Sequence, residues 1–384
     1  MPLYKFNDIA ENLTAKRKPT EADMQTYIGL EHLESGSLFV HSFGSDVPIK
    51  GDKLIMTRGD ILLGKRNAYL KRAAIAPHDG LFSAHGMILR PKEKVVDKNF
   101  FPFFIASDVF FDEAIRISVG SLSPTINWRD LKEIEFNLPS LEEQRKLADL
   151  LWSAYDLKES YKRLLAASDE MAKSRFVEMF GDPVENTMKW KTKPFKDCCW
   201  KIGDGLHGTP EYDQAGPYPF INGNNLVHGK IQVLESTKRV GVAEFQKLFI
   251  PLSSNAILLS INGTLGNLAY YQSEQIVLGK SACYCDLMPD LNKKYVFALM
   301  ESDAFKRFLL ESSTKSTIQN VGLKAIRDFK LILPPISLQN EFAAFIEQLD
   351  KSKVALQKCI KALDDTIKTL LHNNFFENEE KNHA

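Results

Sequence analysis

The sequence predicts an α+β fold made of two tandem globular units with mainly antiparallel sheet, each followed by a long helix, the two helices pairing as an antiparallel coiled coil. Three observations predict it: the chain matches itself at a shift of about half its length, short β-branched and aromatic runs fill each copy up to a Leu-Pro step, and apolar residues adopt heptad spacing after that step. Shifted by 195 positions, Leu138-Pro139 falls on Leu333-Pro334, Gln144 on Gln339, Phe180 on Phe375, and Ser107-Asp108 with Phe110 on Ser302-Asp303 with Phe305. With small changes of offset, YIGLEHLESGSL from Tyr27 lies over FINGNNLVHGKI from Phe220, GDILLG from Gly59 over NAILLS from Asn255, and Phe6 with Asp8 over Phe195 with Asp197. Two copies of half a chain are not a solenoid of many short repeats.

The division that follows is 1–138 for the first globular unit, 139–182 for the first long helix, 183–333 for the second unit, 334–376 for the second long helix and 377–384 for a tail. Within the units, runs such as AILLSI and LAYYQ, broken by Gly263 and Gly266, read as strands joined by turns, with short helical patterns such as Val296 to Leu310 between them. Ser140 can cap the first long helix, with Glu143 at capping-box spacing, and Gly181 and Pro183 should end it.

Both helices carry a stripe. In the second, Phe342, Ile346, Leu349, Leu356, Ile360, Leu363, Ile367 and Leu370 follow alternating steps of four and three, and only Lys353 breaks the row. In the first, Leu147, Leu151, Ala154, Tyr161, Leu165 and Ala172 hold the same register, widened by Leu150, Leu157, Leu164 and Met171. A stripe of this length needs a partner helix. Each helix could pack on its own unit instead, but the intervening unit can return the chain, which favours antiparallel pairing of the two. At ~1.5 Å per residue each helix would be roughly 55 to 60 Å long, a rigid spacer between two heads.

Bulk properties narrow the field. The 384 residues, 44% hydrophobic, can bury two or three cores, and 49 Lys plus Arg against 49 Asp plus Glu leave no net charge, so any nucleic-acid binding must come from local patches. The five cysteines, among them Cys198, Cys199, Cys283 and Cys285, form no metal-ligand spacing and read as reduced thiols. No run reaches the ~20 apolar residues of a membrane span, and the N-terminus lacks signal-peptide character. We expect a soluble, cytoplasmic protein without membrane contact.

Two similar but non-identical heads at fixed separation suit a ligand that repeats along an axis, such as double-stranded DNA with grooves recurring every ~34 Å. LPSLEEQRKLADLL from Leu138 and LPPISLQNEFAAFI from Leu333 each close a globular unit and open a long helix. With FVEMFGD after the first helix, HGTPEY from His207 and LLSINGTLGNLAYY from Leu258, they make the chain similar to the specificity subunit of Type I restriction-modification systems along essentially its whole length. The resemblance implies two target-recognition domains that each read half of a split DNA sequence. It also implies helices that set the gap and dock two methyltransferase subunits, with restriction (helicase-nuclease) subunits joining. S-adenosylmethionine and Mg/ATP would belong to those partners; this chain would hold no cofactor and do no chemistry. The alternatives are a non-catalytic scaffold whose two heads bind proteins, and an enzyme.

Direct signs of catalysis are weak. Gly203, Gly205 and Gly208 satisfy GxGxxG, but Thr209-Pro210 follows instead of the helix that would hold a pyrophosphate. No Walker A sequence is present, and Pro334-Pro335 lacks the flanking residues with which adenine methyltransferases grip a flipped base. The eight histidines show no HExxH or HxH spacing, and Glu142-Glu143 suit the first turn of a helix.

For DNA contacts, the strongest basic patch is GKRNAYLKR: Lys65, Arg66, Lys71 and Arg72 could neutralise phosphates, Asn67 could reach a base edge, and Tyr69 stands between the cation pairs. Lys16 and Arg17, with Lys18, form a second candidate loop. In the other unit the matching candidates are His207 and Thr209 in the early loop, Asn262, Thr264 and Asn267 in the turn, and Lys280. Near the end of each unit SLSPTINWRDLK offers Thr125 and Asn127, and STKSTIQNVGLK offers Lys315, Thr317, Gln319 and Asn320. Solvated hairpins and local helix caps would explain the same residues. Because the loops differ between copies, we expect the two halves of the target to differ.

Overall fold

The computed structural model describes residues 1–314 and 318–380, with side chains as far as Phe375 in the second stretch. The chain forms two compact units, Met1–Lys162 with the segment from Gln357 onward, and Arg163–Leu356. The boundary therefore cuts both long helices, Leu141–Phe180 and Ile336–Glu380, so each unit holds one globular head and a piece of each helix. The second helix continues to Glu380, past residue 376 where we expected it to end.

The first head is built on a four-stranded antiparallel sheet in the order Ala10–Leu13, Gly86–Pro91, Ile61–Gly64, Ala73–Ile75. The second head repeats that order with Cys199–Asp204, Ala282–Leu287, Ala256–Ser260 and Leu268–Tyr270. The central strands Ile61–Gly64 and Ala256–Ser260 are buried on both faces, which is why they read as unbroken apolar runs rather than alternating ones. A short antiparallel pair closes each head, Leu3–Lys5 on Glu135–Asn137 and Thr192–Pro194 on Lys330–Ile332, bringing the start of the head to its Leu-Pro exit. The sheets are antiparallel as expected, apart from Tyr218–Ile221 on Val277–Leu278, which is parallel.

The repeated Ser-Asp-x-Phe is a helix start. Ser107 Oγ accepts from Phe110 N and Ser302 Oγ from Phe305 N, both at 3.2 Å, opening helices Asp108–Arg116 and Asp303–Glu311. This cap also divides the stretch read as one helical pattern from Val296 to Leu310 into Lys293–Glu301 and Asp303–Glu311, because Ser302 takes an extended backbone. The first long helix opens on the expected capping box: Ser140 N donates to Glu143 Oε2 at 2.9 Å and Glu143 N to Ser140 Oγ at 3.3 Å. It stops at Gly181, whose φ of +73° is left-handed.

The helix stripes divide their labour. Leu147 and Leu151 are buried in the aromatic core of the first head, and Tyr155 beside them accepts the Leu38 amide at 2.6 Å on its hydroxyl. Phe342 likewise belongs to the second head's core, with Ile346 packed against it. Tyr161, Leu165, Leu349, Leu356, Ile360 and Leu363 are half-buried. Leu150, Leu157, Leu164 and Met171, which we had added to the first stripe, are exposed. In the first unit Lys158 meets Asp364, and Ile367 and Leu370 pack on the head core; in the second unit Lys353 meets Asp169 and Arg175 meets Glu341. Among the described residues no helix is long and apolar enough to cross a membrane.

Candidate nucleic-acid interface

In the first head two loops far apart in sequence become one surface. The chain leaving Ile61–Gly64 bridges Arg66 to Thr125, Ile126 N donates to Lys65 O at 2.9 Å and Ala68 N to Pro124 O at 3.2 Å. Asn67 turns the corner with φ +53°, and its Oδ1 accepts from Ser123 Oγ at 2.9 Å. Tyr69 follows in a short 3-10 turn and is exposed. Thr125 Oγ1 donates to Ser123 O, whereas Asn127 precedes helix Trp128–Leu131 without a capping bond from its side chain, so that carboxamide faces solvent.

The cations sort into two groups. Lys16 lies on a strand paired with Lys53–Met56. Burial and then Lys16 push the Lys65 ammonium below its ordinary pKa, and burial followed by Arg66, Lys65 and Lys53 pushes the His85 imidazole down. Lys16, Lys53, Lys65 and Arg66 thus form one positive cluster around the His85 imidazole, and no ion pair neutralises these four among the described residues. The other expected cations differ. Arg17 is held bidentate by Asp23 at 2.6 and 2.7 Å, which keeps that carboxyl well below the usual carboxylate range. Lys71 bonds Asp108 at 2.6 Å and Asp112 at 2.9 Å, and Arg72 donates to Leu30 O and Arg66 O. Their positive ends have partners within the head while staying partly exposed, which sets Arg17, Lys71 and Arg72 apart from the cations without an ion pair. Lys53, whose ammonium also donates to Gly51 O at 3.2 Å, and the His85 imidazole lie beside this cluster; they escaped sequence reading because only folding brings them near Lys16, Lys65 and Arg66.

The second head repeats the geometry with different chemistry. Asn262 bridges to Asn320, Gly263 N donates to Gln319 O at 3.0 Å and Val321 N to Ile261 O at 2.9 Å, so the turn and the late loop again share one surface. Thr264 accepts the Ser260 hydroxyl on its carbonyl, and Asn267 Nδ2 donates to Gly223 O at 3.4 Å. Nearby, Lys280 N donates to Leu206 O at 3.0 Å, joining exposed Lys280 to the loop that carries His207 and Thr209, and His207 Nε2 lies 2.7 Å from Asp204 Oδ2. Asn222 and Ser281, also missed from sequence, are bonded at this junction. Lys315 and Thr317 lie outside the described residues. Two of the GxGxxG glycines have a packing role: a Cβ on Gly205 would stand 2.0 Å from Leu278 O, and one on Gly203 2.4 Å from the Tyr284 hydroxyl, whereas one on Gly208 would meet nothing within 4 Å. The four paired or neighbouring cysteines are buried free thiols, and Cys359 is exposed.

Duplicated heads, each ending its central sheet in a polar double loop, define a two-site recognition protein. Its residues 5–166 and 188–363 match the model of the Type I restriction modification DNA specificity domain, and the chain belongs to that family, carrying the domain twice. The matched model is that of a DNA specificity domain. Among curated relatives it is 24% identical over 195 residues to the Type I restriction enzyme EcoDI specificity subunit of Escherichia coli, covering 49% of this chain and 43% of that one. It is 23% identical over 338 residues to the MjaIX specificity subunit of Methanocaldococcus jannaschii, covering 80% and 75%. Thus the chain spans less than half of the first relative's length and three quarters of the second's. Its fold is shared with a chain from a structural study of complex assembly and conformational transition in the type I restriction-modification system, at TM-score 0.59, 16% identity and 97% coverage of both. The same holds for the Type I restriction-modification system S subunit from M. genitalium, at TM-score 0.57, 13% identity and coverage of 97% and 96%.

Proposed function

We propose that this chain is the specificity subunit that reads an asymmetric, bipartite double-stranded DNA target, one half with each head, in the cytoplasm. The observation that supports it is the equivalence of the two double loops with unlike side chains: Arg66 faces Thr125 across the bridge in the first head, and Asn262 faces Asn320 in the second. Arginine suits a guanine edge or a phosphate, and asparagine suits adenine, so the halves would differ in sequence. The long helices would set the gap and dock two methyltransferase subunits, to which restriction subunits are added. Zero net charge fits a subunit whose partners supply much of the phosphate-binding surface.

The test is to delete the same two turns from both helices, assemble the complex and sequence the methylated DNA. A shortened gap between unchanged half-sites is expected; an unchanged gap overturns the spacer role. Equal binding of random and target duplexes across a salt titration would favour a protein-binding scaffold instead, since specific binding should exceed nonspecific by ~10³-fold or more.

A further inference from the structure

A lysine interrupts the heptad row of each helix, and the two lysines are equivalent. Lys353 is where the 195-residue shift carries Lys158, and the carboxylates they meet, Asp364 and Asp169, are related by the same shift in the opposite sense. In the first unit Lys158 is 4% exposed, donates to Asp364 at 3.0 Å and lies 4.4 Å over the Tyr155 ring. In the second unit Lys353, 24% exposed, meets Asp169 at 2.5 Å. Neighbouring Glu159 is bonded to Lys162 instead, at 2.9 Å.

An apolar side chain would fill either position of the stripe at less desolvation cost. What the lysine adds is intolerance of other alignments. Sliding the partner by one heptad, ~10 Å along the axis, replaces Asp364 by Gln357 or Leu371 opposite Lys158, and Asp169 by Lys162 or Phe176 opposite Lys353. Slips of three or four residues offer Ile360, Lys361, Ile367 or Lys368 to the first, and Leu165, Ala166, Ala172 or Lys173 to the second. None is acidic, so each of these slips leaves an ammonium in the seam without a counter-charge. A polar residue at one seam position is a known means of specifying register at a cost in stability.

We infer that Lys158 and Lys353 are the register-setting residues of the helix pair, one in each unit, each accepting only the carboxylate eleven residues beyond the other lysine. Resting on the spacer reading above, they are also specificity determinants, because the register they select sets the gap between half-sites.

Spin-label distances test this on the full chain with Cys359→Ser. Labels at exposed positions 153 and 369 report the first unit, and at 174 and 348 the second. The unsubstituted seam should give one narrow distance per pair. Lys158→Leu with Lys353→Leu should keep the chain folded, with a melting temperature no lower, yet add a second distance population; one unchanged population overturns the inference. Should that variant not fold, charge reversal decides. Lys158→Asp with Lys353→Asp should scatter the distances, and adding Asp364→Lys with Asp169→Lys should restore one; equal distributions in the reversed and swapped chains overturn the inference. A leucine variant with two registers but a single methylated gap would retire the spacer reading and leave the register role standing.

Discussion

The Gln144 side-chain carbonyl accepts a 2.8 Å hydrogen bond from the Asp97 amide, and its amino group donates to Pro139 O at 2.9 Å. Gln339 does the same in the second unit, accepting from Asn292 N at 3.0 Å and donating to Pro334 O at 2.9 Å. Both carboxamides are buried, and both tie the Leu-Pro step and the first turn of a long helix to the loop before the head's helical layer. This is why glutamine recurs five residues after each proline.

Gln144→Ala should therefore strand the Asp97 amide away from water and destabilise the chain by about 1–3 kcal/mol. Gln339→Ala should act alike through Asn292, while exposed Gln348→Ala changes little. Denaturant titration of the three variants checks this; a Gln144→Ala midpoint equal to that of Gln348→Ala would contradict it.

Lys65→Ala and Arg66→Ala should weaken DNA binding by the assembled complex and each lower the slope of log affinity against log salt by about 1. Lys71→Ala should leave that slope as it was, because its ammonium serves Asp108 and Asp112. Binding isotherms at several salt concentrations separate the two groups of cations.

Gly205→Ala should destabilise the second head by about 1–3 kcal/mol, since its methyl would overlap the Leu278 carbonyl. Gly208→Ala meets nothing within 4 Å and should be close to neutral in a melting experiment. Equal, small effects would mean the glycines are not there for packing.

His85 should titrate below the usual ~6.5, because burial and the charges of Arg66, Lys65 and Lys53 resist its protonation. The unfolded imidazole takes a proton first as pH falls. The stabilising contribution is therefore whole above about 6.5 and is lost between there and the lower folded midpoint. NMR titration of the imidazole checks the midpoint, and Arg66→Ala should raise it. A midpoint unmoved by Arg66→Ala would separate His85 from the cluster.

What one strand of text could carry was the local grammar. Ser140 with Glu143, Gly181 after the first long helix, and the four-three spacing from Phe342 to Leu370 each depend on residues within a few turns of one another, and the duplication repeats the spacing in the other helix. Which cations remain available was a different kind of question. Arg17, Lys71 and Arg72 looked equivalent to Lys65 and Arg66, but folding places Asp23, Asp108, Asp112 and the Leu30 carbonyl against the first group, while Lys16, Lys53 and His85 lie around the second. In the same way Lys353 was legible as a break in a stripe, while its reason, Asp169, lies far back in the chain. Coulomb attraction and desolvation act through space, between groups whose sequence separation carries no trace of their eventual distance. The framework of each head is therefore written in short-range pattern, and the charge pattern of its surface exists only once the strands have paired.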